Sequence, residues 1–80
     1  GERSEGAARV AIAAQKQGKY FDMHAALLKN RGANNEQTAL ALGEKLGLDV
    51  EKLRADANSD EVRKIIAETR ALGNRLGIQG

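Results

Sequence analysis

The serine and histidine side chains from which a hydrolase triad could be built are Ser4, Ser59 and His24. A hydrolase triad combines a Ser or Cys nucleophile with a His and a carboxylate. Both serines stand where helix N-caps are expected, so we interpret them as caps. His24 lies between Tyr20 and Leu27 on an apolar helix face. With no second His and no Cys to complete a metal site, it is interpreted as a packed side chain that donates one hydrogen bond. We therefore predict no catalytic, cofactor-binding or metal-binding residue in this chain.

The 80 residues contain no cysteine. Within them a disulfide, a thiolate metal site, a Cys nucleophile and a redox-active C-x-x-C pair are therefore excluded. The nine glycines stand singly and lack the clustered spacing of a phosphate-binding loop. Gly43 interrupts a predicted helix, and we expect it to permit a close helix contact. The residue types themselves predict no enzyme.

Glycine and asparagine residues divide the chain into five predicted helices. The expected stops are Gly18, residues 30–32, Gly47, Asn58 and Gly77. The predicted caps are Ser4, then Asn34 or Asn35 with Gln37 completing a capping box, then Asp49, then Ser59. The absence of proline and the 2% aromatic content disfavour a β-sandwich or barrel. We predict an all-α fold, a compact bundle of about five short helices that forms a single domain over residues 1–80.

Apolar residues at spacings of three and four predict the buried face of each helix. In chain order these are Ala8, Ala11, Ile12 and Ala14; Tyr20, Met23, His24, Leu27 and Leu28; Ala39, Leu42, Gly43 and Leu46; Val50 and Leu53; Val62, Ile65, Ile66, Thr69, Leu72 and Leu76. One core is expected to be shared by Leu27, Leu42, Leu46, Leu53, Val62, Ile65, Ile66 and Leu72. We expect a monomer that unfolds cooperatively, in the lower half of the roughly 4 to 12 kcal/mol typical of 80 residues.

Charge and hydropathy limit the classes of partner. Lys and Arg number 13 against 11 Asp and Glu, a net charge of +2, and the two signs interleave as on a solvated helical surface. A small DNA-binding bundle is the weaker alternative, and its candidate residues are Arg63, Lys64, Arg70, Asn74 and Arg75. No run approaches the ~20 apolar residues of a membrane span, and no signal-peptide pattern opens the chain. We expect no nucleic-acid and no membrane partner, which leaves an interaction module or a helical part of a larger enzyme.

Three motifs, in order, cover nearly the whole chain. The first is Ser4-x-x-Ala7-Ala8-Arg9 with Ala13-Ala14, followed by Gln17-Gly18-Lys19-Tyr20-Phe21 and Met23-His24-x-x-Leu27. The second is Gly47-Leu48-Asp49-Val50-x-x-Leu53-x-x-Asp56, and the third is Leu76-Gly77-Ile78-Gln79-Gly80. Together they resemble the helical insertion of DsbA-like thiol-disulfide oxidoreductases. Met23 stands where that family usually has Phe.

The resemblance implies a helical insertion domain excised from a parent with a thioredoxin-like fold. In the family a C-x-x-C pair precedes the insertion, and a Thr and the active-site cis-Pro follow the position of Gly80. The chain itself would be non-catalytic: it would pack on the thioredoxin-like domain of the parent and shape the surface that substrate polypeptides and redox partners approach. The parent would be an enzyme of an oxidising compartment, most simply the bacterial periplasm.

An inserted domain leaves and re-enters its host at neighbouring points. The resemblance therefore implies that the two chain ends lie near each other, with residues 1–3 and 77–80 poorly ordered and Ile78 packing at the junction in the parent. An independent helical protein-interaction module is the alternative, and chain ends at opposite poles of the bundle would favour it.

Overall fold

The computed structural model describes the backbone of residues 2–77 and the side chains of residues 5–77. In that part of the chain five helices follow one another with no strand: α1 (Glu2–Gln15), α2 (Tyr20–Lys29), α3 (Glu36–Lys45), α4 (Val50–Ala57) and α5 (Asp60–Arg75). The Cα radius of gyration is 12.2 Å, close to the roughly 12 Å expected for a folded domain of this length. The predicted all-α bundle is confirmed. None of the described helices combines the length and hydropathy needed to cross a membrane.

Helix α1 is the centre of the bundle, because each of the other four helices contacts it. The predicted buried stripe is correct for Ala11 and Ala14, but Ala8 and Ile12 are only half-buried. Val10, which the prediction omitted, is fully buried. A helix surrounded by neighbours buries residues around most of its circumference, so a single stripe describes α1 poorly.

Side-chain caps define the starts of the last three helices. Asp49 and Ser59 each accept a hydrogen bond from the backbone N–H three residues later, at 3.1 and 3.2 Å, as predicted. Asn35 caps α3, and its Oδ1 accepts from the Thr38 N–H at 2.9 Å. The predicted capping-box partner, Gln37, is wrong. Because Asn35 is the cap, the box is completed by Thr38, whose Oγ1 accepts from the Asn35 N–H at 2.8 Å.

The predicted cap at Ser4 is wrong, because α1 already begins at Glu2 and Ser4 lies within the helix. Glu and Arg have favourable helix propensities, which explains why residues 2 and 3 extend the helix. The predicted glycine stops of α1, α3 and α5 are confirmed by their left-handed backbone, with φ of 75° at Gly18, 83° at Gly47 and 76° at Gly77. Helix α2 has its C-cap at Asn30, within the predicted stop at residues 30–32, but Asn30 is extended rather than left-handed, and Gly32 with φ of 102° lies two residues further on. Residues other than Gly rarely adopt a left-handed backbone conformation.

The core is built by α1 to α4 together with the first turn of α5. Its largest fully buried side chains are Met23, Leu53, Val10 and Val62. Gly43 permits the close contact that was predicted, since a Cβ added there would lie 2.5 Å from Leu53 Cδ2. Helix α3 buries Leu40, which the prediction missed, whereas Leu42 and Leu46 are half-buried.

The predicted core is wrong for most of α5. Ile65 and Leu72 are 39% and 50% exposed, and Val62 is the only residue of the helix that is fully buried among those described. The cause is that α5 contacts α1 and, over a smaller area, α4, but neither α2 nor α3. A helix of 16 residues extends about 24 Å, so much of α5 lies beyond the side chains that could cover it.

The predicted apolar face of α2 is too wide. Met23 and Leu27 are buried and Tyr20 is half-buried, but His24 and Leu28 are exposed. Helix α2 contacts only α1 and α3 within the described residues. Its side that carries His24 and Leu28 therefore remains uncovered.

The prediction about the chain ends concerns residues that lie largely outside those described, namely Gly1 and residues 78–80. Close to the two chain ends, Glu5 Oε1 and Arg70 Nη1 form an ion pair 2.8 Å apart. The first turn of α1 therefore lies beside the C-terminal half of α5. The proximity and the order of the terminal residues themselves stay a prediction.

Candidate functional site

The residues considered for acid, base or nucleophile chemistry do not come together. Ser59 Oγ donates to the Asp56 carbonyl at 2.7 Å while it caps α5, as interpreted from the sequence. His24 is exposed, so the prediction of a packed histidine is wrong; its ring instead stacks on Tyr20, with centroids 6.0 Å apart and planes 8° from parallel. The side chain of Ser4 lies outside the described residues.

Metal ligation has no support in the described residues either. Among them, no group of three or more His, Cys, Asp or Glu side chains is placed to hold a metal ion. The features that stand out are two exposed apolar surfaces and the ion pairs that fix the helices carrying them.

The first surface, which we call the α5 stripe, consists of Ile65, Leu72 and Leu76. These side chains are 39%, 50% and 65% exposed. Their spacings of seven and four place them on one side of the helix. The sequence pattern identified these residues but assigned them to the core, because periodicity shows that a face is apolar without showing what covers it.

The second surface, the α2 strip, consists of Phe21, Ala25 and Leu28 at spacings of four and three. Phe21 is 82% and Leu28 74% exposed, and Phe21 meets the ring of Tyr20 edge-on at 5.3 Å between centroids. Sequence reasoning missed this strip, although the same i, i+4, i+7 spacing that defines a buried face could have identified it.

Between these two surfaces lies an open depression of about 370 Å³, which we call the trough. Its floor is α1, one wall is α2 and the other wall is α5. The backbones of the two walls stay apart, because no Cα of α2 lies within 8 Å of a Cα of α5 in the described residues. The trough is lined by Ala8, Ala11, Ile12, Tyr20, His24 and Ile66, among others.

Arg9 connects three of the five helices directly and a fourth through Glu5. Its side chain is 11% exposed and forms ion pairs with Glu5 at 3.0 Å and with Glu36 at 2.6 Å. Its Nε also donates to the carbonyl of Ala57 at 3.2 Å, at the end of α4. Glu5 in turn forms an ion pair with Arg70, with Oε1 and Nη1 2.8 Å apart, so the network connects α5 to α1. The only indication of this network in the sequence is the i, i+4 spacing of Glu5 and Arg9.

A second ion pair fixes the start of α5. Lys16 Nζ lies 2.5 Å from Glu61 Oε1. This hydrogen bond, together with the negative charges of Glu61 and Asp56, raises the pKa of Lys16 above its ordinary value. Both partners are solvent-exposed, so the pair positions α5 more than it stabilises the fold.

The side chains proposed for DNA binding are partly engaged within the bundle. Arg63 donates to Asn58 at 3.0 Å, and Arg70 pairs with Glu5 at 2.8 Å. Phosphate contact requires cations that face outward on one surface. The DNA-binding alternative stays a prediction, with fewer free cations than the sequence implied.

Comparison with known proteins assigns the family. The model of the DSBA-like thioredoxin domain matches residues 1–80. The chain belongs to the DsbA-like thioredoxin domain family. The resemblance drawn from the three sequence motifs is therefore confirmed. A search of curated proteins finds no match.

One solved structure is similar to the DsbA-like chain over its whole length. It is the crystal structure of a thioredoxin-like oxidoreductase from Silicibacter pomeroyi DSS-3, with 44% sequence identity and a TM-score of 0.90. The match covers 100% of this chain and 46% of that protein. The chain thus spans less than half the length of the oxidoreductase that it matches.

Proposed function

We propose that this DsbA-like chain is the non-catalytic helical domain of a thioredoxin-like oxidoreductase. In this proposal the helices are inserted in a thioredoxin-like domain of the same polypeptide and pack against it through the α5 stripe. They shape the surface that substrate polypeptides and redox partners approach. We use "full-length protein" for the polypeptide that carries both parts.

The observation that carries the proposal is the α5 stripe. Ile65, Leu72 and Leu76 are large aliphatic side chains, yet they are exposed at 39% or more. Complete burial of such a side chain contributes roughly 1.5 to 3 kcal/mol. Covering the exposed fraction of all three would contribute about 2 to 5 kcal/mol, enough to hold a tethered domain in place.

Two further points support the proposal. Thiol-disulfide exchange proceeds through a thiolate, and the 80 residues contain no cysteine. Any such chemistry in the full-length protein therefore has its thiolates elsewhere. The chain also matches only 46% of a thioredoxin-like oxidoreductase, which leaves room for a second domain. From the resemblance we further propose a bacterial periplasmic location.

The proposal is tested by comparing Leu72→Asp with Ala71→Asp, in the chain alone and in the full-length protein. Leu72 belongs to the α5 stripe, whereas Ala71 is exposed about 100° around the helix. In the chain alone Leu72→Asp is expected to lower the free energy of unfolding by about 1 to 2 kcal/mol, because half of the leucine side chain is already buried there. Ala71→Asp is expected to cost less than about 1 kcal/mol, through helix propensity and the helix dipole. In the full-length protein only the loss for Leu72→Asp is expected to grow, by more than about 2 kcal/mol, because a carboxylate would enter an apolar contact. An equal loss for Leu72→Asp in the two proteins would contradict the proposed packing.

Equal effects of the two variants in the full-length protein would contradict the proposed packing. Activity gives a second readout. Reduction of insulin disulfides is expected of the full-length protein and not of the purified 80 residues. Turnover by the 80 residues above a protein-free control would refute the non-catalytic role.

A further inference from the structure

The trough has the size and shape to hold a small part of another domain. Its floor, formed by Ala8, Ala11 and Ile12 of α1, carries short or branched aliphatic side chains. Tyr20 and His24 form the α2 wall, with their rings nearly parallel and their centroids 6.0 Å apart. The volume of about 370 Å³ is near the lower end for sites that hold small molecules, so it fits one or two side chains and not a whole helix.

The chemistry of the lining specifies an uncharged occupant. Among the residues whose side chains are described, no Asp, Glu, Lys or Arg lines the trough. Two of its polar side chains are already engaged, because Asn34 donates to the Leu27 carbonyl at 2.9 Å and Thr69 donates to the Ile65 carbonyl at 2.8 Å. A charged group placed there would lose its hydration without gaining a partner of opposite charge. An apolar side chain carries no such hydration and can enter without that loss.

The small area of the trough argues for a tethered occupant. A stable complex between separate proteins buries about 800 Å² on each partner, far more than an open depression of this volume can offer. The trough borders the α5 stripe, since Thr69 of its α5 wall lies one helical turn from both Ile65 and Leu72. A domain that covers the α5 stripe would therefore lie at the edge of the trough.

We propose that the trough receives one or two apolar, uncharged side chains of the thioredoxin-like domain. This inference rests on the proposed function, because it takes the covering domain from it. It adds a second contact beside the α5 stripe, in which side chains of that domain enter between α2 and α5.

Thiol labelling tests the inference, because the 80 residues contain no cysteine. Single cysteines are introduced by Ala8→Cys on the trough floor, Thr69→Cys on its α5 wall, Leu72→Cys in the α5 stripe and Ala41→Cys on the exposed side of α3. The rate of alkylation by iodoacetamide is measured in the chain alone and in the full-length protein, whose own cysteines are replaced by serine. Unchanged urea unfolding identifies the variants that keep the fold.

In the chain alone we expect all four thiols to react at rates typical of accessible groups. In the full-length protein the thiols at positions 8, 69 and 72 are expected to react at least about tenfold more slowly, because each reacts only after local opening. The thiol at position 41 is expected to keep its rate. Having trough reporters on two helices keeps the test decisive if one variant does not fold.

The outcomes separate the two proposals. Protection at position 72 with unprotected thiols at 8 and 69 would overturn the trough inference and leave the proposed function standing. No protection at any of the three would overturn both. Slow labelling at positions 8 and 69 already in the chain alone would also overturn the inference, since the trough would then be closed without the thioredoxin-like domain.

Discussion

Gly43 gives the sharpest test of how the core is packed. A Cβ at this position would lie 2.5 Å from Leu53 Cδ2 and 3.1 Å from Met23 Cε. Both neighbours are fully buried, so their terminal atoms cannot turn into solvent to make room. Gly43→Ala gains roughly 1 kcal/mol of helix propensity, while overpacking a filled core costs about 1 to 3 kcal/mol. We expect a net loss of about 1 kcal/mol in the free energy of unfolding.

The sign of this effect should reverse when Leu53 is shortened. Leu53→Val removes the Cδ2 atom that the added Cβ would meet, and it costs about 1 to 2 kcal/mol by itself. In that background Gly43→Ala keeps its helix propensity and fills part of the space left open. It is therefore expected to raise the free energy of unfolding by up to about 1 kcal/mol, a coupling of roughly 2 kcal/mol between the two sites.

The assay is urea unfolding followed by far-ultraviolet circular dichroism, with linear extrapolation for the four members of the cycle. Ala41→Gly is the control, because Ala41 is exposed on the same helix. It should lose about 1 kcal/mol in both backgrounds, with no coupling. If Gly43→Ala has the same effect with Leu53 and with Val at that position, Gly43 is not there to make room for Leu53, and the packing argument is refuted.

Three further predictions concern polar contacts. Arg9→Ala should lower the free energy of unfolding by about 2 to 3 kcal/mol in the same urea assay, because the hydrogen-bonded charge that ties α1 to α3 and α4 is lost; a loss below about 0.5 kcal/mol would contradict the role of the network. Asn35→Ala should cost about 1 kcal/mol through loss of the α3 cap, whereas unchanged stability would mean that α3 starts without it. Glu61→Gln should move the pKa of Lys16 down towards its ordinary value, measured by NMR titration of the Lys16 side chain. The pKa of Lys16 is raised in the folded chain, so the stabilisation by its pair with Glu61 is fully present below the ordinary Lys pKa and is lost at alkaline pH. A stability difference between Glu61→Gln and the unchanged chain that appears only in acid would contradict the assignment.

Local signals in the sequence were sufficient for the helices and most of their ends. Asp49 and Ser59 were identified as caps because a cap depends on the residue itself and on a backbone N–H three positions away. The same locality explains the glycine stops. Ser4 was misassigned because cap residues also occur inside helices, and nothing local distinguishes the two when the preceding residues favour a helix as well.

Burial could not be read from the sequence to the same extent. Leu72 and Leu53 are both apolar residues at helical spacing, yet one is half-exposed and the other fully buried. The difference depends on which helices reach each site, and contacts between distant segments leave no mark in the spacing of a single helix. The exposed apolar residues of α5 and α2 therefore became visible only in the folded chain, and those of α5 are the residues on which the functional proposal depends.

The most direct test of the account is the exposed fraction of the Leu72 side chain in a crystal structure of the full-length protein. In the chain alone that fraction is 50%. If the helical domain packs on a thioredoxin-like domain through the α5 stripe, Leu72 is expected to be buried there, with less than about one tenth of its surface exposed and apolar atoms of the other domain within about 4 Å. A Leu72 side chain that remains half-exposed in the full-length protein, with no atom of a second domain in contact, would contradict the central claim.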